Sequence, residues 1–329
     1  MEPSVLELKD LQTTFQSGRS MVPAVDGVSL HVQKGEVLGI VGESGCGKSV
    51  TSLSIMKLIP SPPGKIARGE ILFKGEDLIK ASPRRMKQLR GKEISMIFQE
   101  PMTSLNPLFT IGNQLVEAIR NHNKINKKEA RKKAVDLIKM VGIPRAEEVV
   151  DDYPHQLSGG MRQRIMIAMA MSCEPEVLIA DEPTTALDVT IQAQILDLMK
   201  SLNEKQGTAI LFITHDLGVV ADICDRVVVM YAGKVVEEGT TRTILKDPKH
   251  PYTQGLIRSL PKLTEREQTL YSIPGTVPRP GSIEVGCRFA DRCEFAFDAC
   301  FVEDPELLEL NAGHTCRCLL YKEDEESVG

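Results

Sequence analysis

Short apolar or alternating runs recur at residues 5–8, 28–32, 37–41, 71–73, 94–98, 177–180, 209–213 and 227–230, several of them followed by stretches with helical spacing. Alternation of this kind predicts an α/β chain. Residues 177–180 and 209–213 are apolar throughout, the pattern of strands buried on both faces of a mostly parallel sheet. Between Gly112 and Arg164 the strand signal stops, and Ala130, Ala134, Leu137, Ile138 and Val141 fall on one helical face; a mostly helical insertion is expected there. Past Lys246 the pairs Asp247-Pro248 and His250-Pro251 and the turns around Ile273-Pro274-Gly275 and 277–281 argue against a regular layered core. They predict a short appended tail whose last residues, 322–329, are acidic and frayed.

Composition narrows the class. A chain of 329 residues exceeds one ordinary core and predicts two or three lobes. With 42% hydrophobic and 26% charged residues it is neither disordered nor collagen-like. The 40 Lys and Arg are outnumbered by 45 Asp and Glu, so no global attraction to nucleic acid or anionic membrane exists. The one basic stretch, 127–133, has no interleaved aromatics and the period of an amphipathic helix. It reads as a solvated face, tolerable near anionic lipid headgroups, and no nucleic-acid partner is expected. Without a basic flank and apolar core at the start, or an apolar run of bilayer length, a cytoplasmic chain is expected.

The chemistry concentrates at three places. Gly42-Glu43-Ser44-Gly45-Cys46-Gly47-Lys48-Ser49 fits GxxxxGK[ST] between an apolar strand, 37–41, and a helical run from Val50. Glycines let such a loop turn its N–H groups toward phosphate oxygens, and the helix N-terminus adds positive potential. Lys48 would contact the β- and γ-phosphates of a nucleotide, and the Ser49 hydroxyl would enter the Mg2+ shell. Residues 177–180 lead into Asp181 and Glu182, one carboxylate to hold Mg2+ and one to polarise an attacking water. Ser158-Gly159-Gly160, before a helical run from Met161, reads as an N-capped helix start with open backbone donors, a second phosphate site.

Leu157-Ser158-Gly159-Gly160-Met161-Arg162-Gln163 resembles the LSGGQ signature of the ATP-binding subunits of ABC transporters, departing from it at Met161. The resemblance implies a P-loop ABC-type ATPase core with an antiparallel β subdomain, a helical signature subdomain and a short Cys-rich C-terminal extension. It places a nucleotide-binding domain over 1–246, with the helical subdomain at about 100–170, and the extension over 247–329. It further implies that Gln99 is the glutamine that senses Mg2+ and links the site to the helical insertion. Thr185-Ala186-Leu187-Asp188 is similar to the loop after the catalytic Glu182. His215 resembles the switch histidine on the γ-phosphate, and Phe15 the aromatic on adenine, with core packing as its competing reading.

Met102-Thr103-Ser104-Leu105-Asn106-Pro107, Tyr153-Pro154-His155-Gln156 and His250-Pro251-Tyr252-Thr253 extend the similarity to importer subunits for dipeptides and oligopeptides, across the whole chain. The implied role is ATP hydrolysis at the cytoplasmic face of the membrane, powering peptide uptake through a permease. Nickel, opine or glutathione import is the alternative cargo, and a soluble ATPase acting on ribosomes or DNA the alternative class. The implied partners are a second, related ATPase subunit, joined head to tail by ATP, and two permease subunits. Met102, Leu105 and Leu108 are candidates for the groove that meets a membrane-domain helix, with plain packing within the lobe as the competing reading of each.

Of eight cysteines, five crowd the tail: Cys287, Cys293, Cys300, Cys316 and Cys318. With no secretion signal they ask for a metal rather than disulfides. Spacings wider than the close pairs of structural zinc sites leave a four-iron cluster and zinc both open. Gly286-Cys287-Arg288-Phe289-Ala290-Asp291-Arg292-Cys293 resembles the C-terminal extension of peptide importers, some of which hold a 4Fe-4S cluster. By that resemblance the ligands are Cys287, Cys293, Cys300 and Cys318, with Cys316 in reserve.

Overall fold

The computed structural model describes residues 4–99, 104–185, 187–260 and 271–322. In chain order its elements are β1 (Ser4–Ser17), β2 (Ser20–Gln33), β3 (Val37–Val41), α1 (Lys48–Ile55), β4 (Gly64–Phe73), β5 (Glu76–Asp77), α2 (Pro83–Leu89) and β6 (Ile94–Ile97). Then come α3 (Ile111–His122), α4 (Lys127–Met140), α5 (Ala146–Val149), α6 (Gly159–Ala170), β7 (Val177–Asp181), α7 (Val189–Gln206) and β8 (Ala209–Thr214). The chain closes with α8 (Leu217–Ile223), β9 (Arg226–Tyr231), β10 (Lys234–Thr240), α9 (Thr241–Lys246), α10 (Pro251–Arg258), β11 (Leu308–Asn311) and β12 (His314–Cys316). They form two compact units, one of residues 1–6, 32–37 and 73–213, the other of 7–31, 38–72 and 214–329.

In the first unit β6, β7 and β8 run parallel, with Ile94 opposite Val177 and Val177 opposite Ala209. Every residue of β7 and β8 is buried, as their unbroken apolar runs require. The helical insertion is α3 to α6. Its second member, α4, carries Ala130, Ala134, Leu137 and Ile138 on its buried face, and Asn126 opens it with a capping box to Glu129.

The second unit holds the hydrogen-bonded orders β2-β1-β4 and β11-β12-β10-β9-β3. Here β3 runs parallel to β9, with Ile40 opposite Val228, while β10 is antiparallel to both β9 and β12. The turn-rich stretch after Lys246 departs from expectation. It supplies α10 and two strands that extend the sheet, and its Phe289, 4% exposed, sits 5.2 Å from the ring of Tyr231 and 5.4 Å from that of Tyr252. Aromatic rings supply the apolar area that a short, Pro-rich segment otherwise lacks. Among the described residues no helix is long and apolar enough to cross a membrane.

Candidate nucleotide site

The phosphate loop is built as its glycines dictate. β3 is buried at all five positions and delivers the chain to Gly42. Gly47 precedes α1 at φ +105°, and a Cβ there would stand 2.6 Å from the Ala24 carbonyl oxygen, so only glycine fits. No side chain caps α1, which leaves its first N–H groups as donors for an anion. Lys48 is 5% exposed, and its Nζ donates to the carbonyls of Gly42 (2.7 Å) and Glu43 (3.0 Å). The loop thus folds around an ammonium group held by its own carbonyls. Ser44 and Gly45 are exposed, Ser49 and Val50 half-buried, and Cys46 is buried with its thiol pKa raised by desolvation.

Two further features of this loop escape sequence reading. The Glu43 N–H donates to Tyr252 Oη at 2.8 Å, and the Glu43 carboxylate takes a bidentate pair from Arg292 at 2.7 and 3.0 Å. Burial opposes the Arg292 charge, yet the bonds to Glu43 and Tyr231 carry its pKa above the ordinary arginine value. Tyr252 lies in the His-Pro-Tyr-Thr motif and Arg292 directly before Cys293, which is the only signal the sequence offered.

In the other unit Asp181 ends β7 and is 4% exposed. Glu182 follows in the left-handed region at φ +47°, held by its N–H on the Ile213 carbonyl at 2.9 Å. Its Oε2 accepts from Gln99 Nε2 at 2.9 Å and from Thr185 Oγ1 at 3.0 Å. The structure therefore joins three of the sequence-selected groups, Gln99, Glu182 and Thr185, around one carboxylate. The buried Gln163 of the signature segment adds a bond from its Nε2 to the Pro183 carbonyl.

Ser158 caps α6 by accepting from the Met161 N–H at 3.3 Å, with Gly159 exposed beside it and open space where its side chain would be. Asp188 caps α7 in the same way through Ile191. His215 is exposed after the buried Thr214. Phe15 is half-buried, its ring edge against Gly64. Leu105 is buried and Leu108 79% exposed; Glu100, Pro101, Met102, Thr103 and Ala186 lie outside the described residues.

Among the described residues no group of three or more His, Cys, Asp or Glu side chains stands close enough to hold a metal ion, so neither the iron–sulfur cluster nor the zinc expected on the tail cysteines is supported. The thiols still share one region. Cys287 N–H donates to the Cys300 carbonyl at 2.8 Å, and Gly286, at φ +90°, has no room for a Cβ against the Cys300 oxygen. Burial pushes the Cys318 thiol up to about 11, with Cys287, Cys293 and Cys300 adding to the rise. Cys316 is raised first by burial and next by Glu237, an acid that repels a thiolate.

Residues 25–185 match the family "ABC transporter", and residues 236–300 match "Oligopeptide/dipeptide transporter, C-terminal region". The oligopeptide transport ATP-binding protein AppD of Bacillus subtilis is 54% identical over 98% of this chain and 98% of its own. The dipeptide transport ATP-binding protein DppD of the same organism is 51% identical over 98% and 96%. Among solved structures, the dimeric post-hydrolysis state of the ATP-binding cassette MJ0796 bound to ADP and Pi is 29% identical, with a TM-score of 0.65 over 72% of this chain and 99% of that one. The chain belongs to the ABC transporter family of ATP-binding proteins, in the group that carries the oligopeptide/dipeptide transporter C-terminal region.

Proposed function

We propose that this chain hydrolyses ATP to power the import of dipeptides or oligopeptides. The observation that carries the reading is Glu182, held by Gln99 and Thr185 at a strand end, in a chain whose phosphate loop closes on Lys48. The P-loop N–H groups and Lys48 hold the β- and γ-phosphates, and Phe15 stacks on adenine. Glu182 accepts a proton from water as its oxygen attacks the γ-phosphorus. The bond from that phosphorus to the bridging oxygen breaks and ADP leaves. Ser49, Asp181 and Gln99 are the residues that would hold Mg2+, which would supply charge neutralisation at the phosphates. His215 reports the γ-phosphate.

The signature Ser158, Gly159 and Gly160 serve the nucleotide of a partner subunit, as a capped helix start with open donors suits. The partner is a second, related ATPase, and the pair sits beneath two permease subunits at the cytoplasmic face. The exposed Leu108 is suited to meet the permease. A four-iron cluster on Cys287, Cys293, Cys300 and Cys318 is the finer reading of the tail. Each thiolate would bind a separate iron, so the four need not converge on one point, and the resemblance to peptide-importer extensions is the ground for Cys318 over Cys316.

The test is transport. Reconstituted with its permease and partner, the chain should drive ATP-dependent uptake of a labelled dipeptide, and Lys48→Ala should abolish both nucleotide binding and uptake. Normal ATP affinity in Lys48→Ala would refute the reading. Anaerobically purified protein should contain iron and acid-labile sulfide, and Cys318→Ser, not Cys316→Ser, should lose them.

A further inference from the structure

A phosphate-binding loop with a carboxylate at its second position works against itself, because Glu43 meets an incoming triphosphate with like charge. Arg292 answers that charge with both terminal guanidinium nitrogens, Nη1 and Nη2, and it is the better buried partner, at 5% against 31% side-chain exposure. Its remaining bonds hold it from its own segment and from β9: Nε to the Pro274 carbonyl at 2.8 Å, Nη1 to Tyr231 Oη at 3.3 Å and Nη2 to the Ile273 carbonyl at 3.4 Å. The rings of Tyr231 and Phe289 lie 5.7 and 5.9 Å from its Cζ. An arginine so determined is a fixed anchor, and Glu43 is the group that yields to it.

The main chain of the loop is held from the same side. Tyr252 takes the Glu43 N–H, and Arg288, four residues before Arg292, donates to Asp26 and to the Ala232 carbonyl. Ala232 precedes Gly233, whose N–H donates to the Cys46 carbonyl at 2.9 Å within the loop. Two arginines of one short extension motif therefore flank the phosphate loop.

We propose that Arg292 is a positioning residue of the nucleotide site, neutralising Glu43 and holding it aside, so that the C-terminal extension sets the affinity of the P-loop for ATP. The proposal rests on the P-loop reading given above. It assigns the extension a part in nucleotide binding that is separate from any group its cysteines hold.

The sign of the coupling between the two residues is the test. Equilibrium binding of a fluorescent ATP analogue to the purified full-length chain should weaken about tenfold or more in Arg292→Gln. Arg292→Lys, which keeps the charge and loses the fork, should recover part of that loss. Removing the acid as well, in Glu43→Gln/Arg292→Gln, should restore affinity to within about threefold of the parent, since no charge then needs an answer. The Arg292→Gln defect should also shrink as salt rises from about 0.05 to about 0.5 M, because the repulsion is screened. Arg258→Gln, which breaks the exposed pair with Glu294 in the same extension, should bind ATP as the parent does.

Parent-like affinity in Arg292→Gln overturns the proposal. So does a double variant as weak as Arg292→Gln alone, which would make the contact a structural pin. An equal loss in Arg258→Gln overturns it too, since any loosening of the extension would then suffice. Undiminished binding in Lys48→Ala marks failure of the P-loop reading instead, a separate result.

Discussion

Glu237 is fully buried in β10 and accepts three hydrogen bonds: from the Lys249 N–H at 2.7 Å, the His250 N–H at 3.0 Å and His314 Nε2 at 2.8 Å, with the imidazole proton assigned to that nitrogen. It thereby joins β10, the turn before α10 and β12 at one carboxylate. Glu237→Gln keeps the shape and places an amide NH2 where one oxygen stood. At best two acceptor bonds survive, now to a neutral group, and one buried N–H faces a donor. An orphaned buried donor costs about 1–3 kcal/mol, and two bonds falling from charge-assisted to neutral strength cost about 1 kcal/mol each. Relief of carboxylate desolvation offsets part of this. A net loss of about 2–4 kcal/mol is expected from the second unit. Urea unfolding followed by circular dichroism reads the loss, and hydrogen exchange locates it. The Arg317 N–H, bonded to the Val236 carbonyl at 2.8 Å across the β10–β12 pair, should lose protection before amides of β7. A change below about 0.5 kcal/mol, with Arg317 still protected, would refute the claim that this carboxylate fastens the extension.

Other outcomes follow from the same geometry. Burial, with the Arg317 charge also acting, lowers the His250 pKa from 6.5 to about 3, so below 6.5 the unfolded chain takes a proton that the folded chain refuses. Stability should be complete above pH 6.5 and fall as pH drops toward 3, by up to about 1.4 kcal/mol per unit. His250→Asn, which retains an acceptor for the Tyr252 N–H that His250 caps at 3.1 Å, should flatten that slope in urea titrations. Gly47→Ala forces a Cβ to 2.6 Å from the Ala24 carbonyl at φ +105°. It should abolish ATP binding by calorimetry while β7 and its neighbours stay folded.

What was legible in the sequence was local. The strands 177–181 and 209–214 announce themselves because both faces are buried. The helix Lys127–Met140 does so because its apolar face and capping box are written within a few residues of each other. β1 and β2, 14 residues each, run well beyond the predicted 5–8 and 28–32, because exposed Lys9 and Asp10 interrupt the pattern in β1 and Pro23 and Gly27 punctuate β2. The P-loop sequence specified its glycines and Lys48. It could not specify the partner of Glu43, since Arg292 lies 249 residues away. Tyr252 was read as part of a motif, and its hydroxyl on the Glu43 N–H emerges only when the chain is folded. The tail was undervalued because Phe289 finds Tyr231 and Tyr252 through tertiary packing, which no local pattern shows.

The central claim is that this chain hydrolyses ATP with Glu182 as the base. Single-turnover release of phosphate from ATP, measured on the complex with its partner ATPase, tests it most directly in Glu182→Gln. The amide keeps the shape between Gln99 and Thr185 but cannot take the water's proton. Release should slow roughly a hundredfold to ten-thousandfold while ATP affinity stays at the parent value. Release at close to the parent rate, with ATP bound normally, would contradict the account.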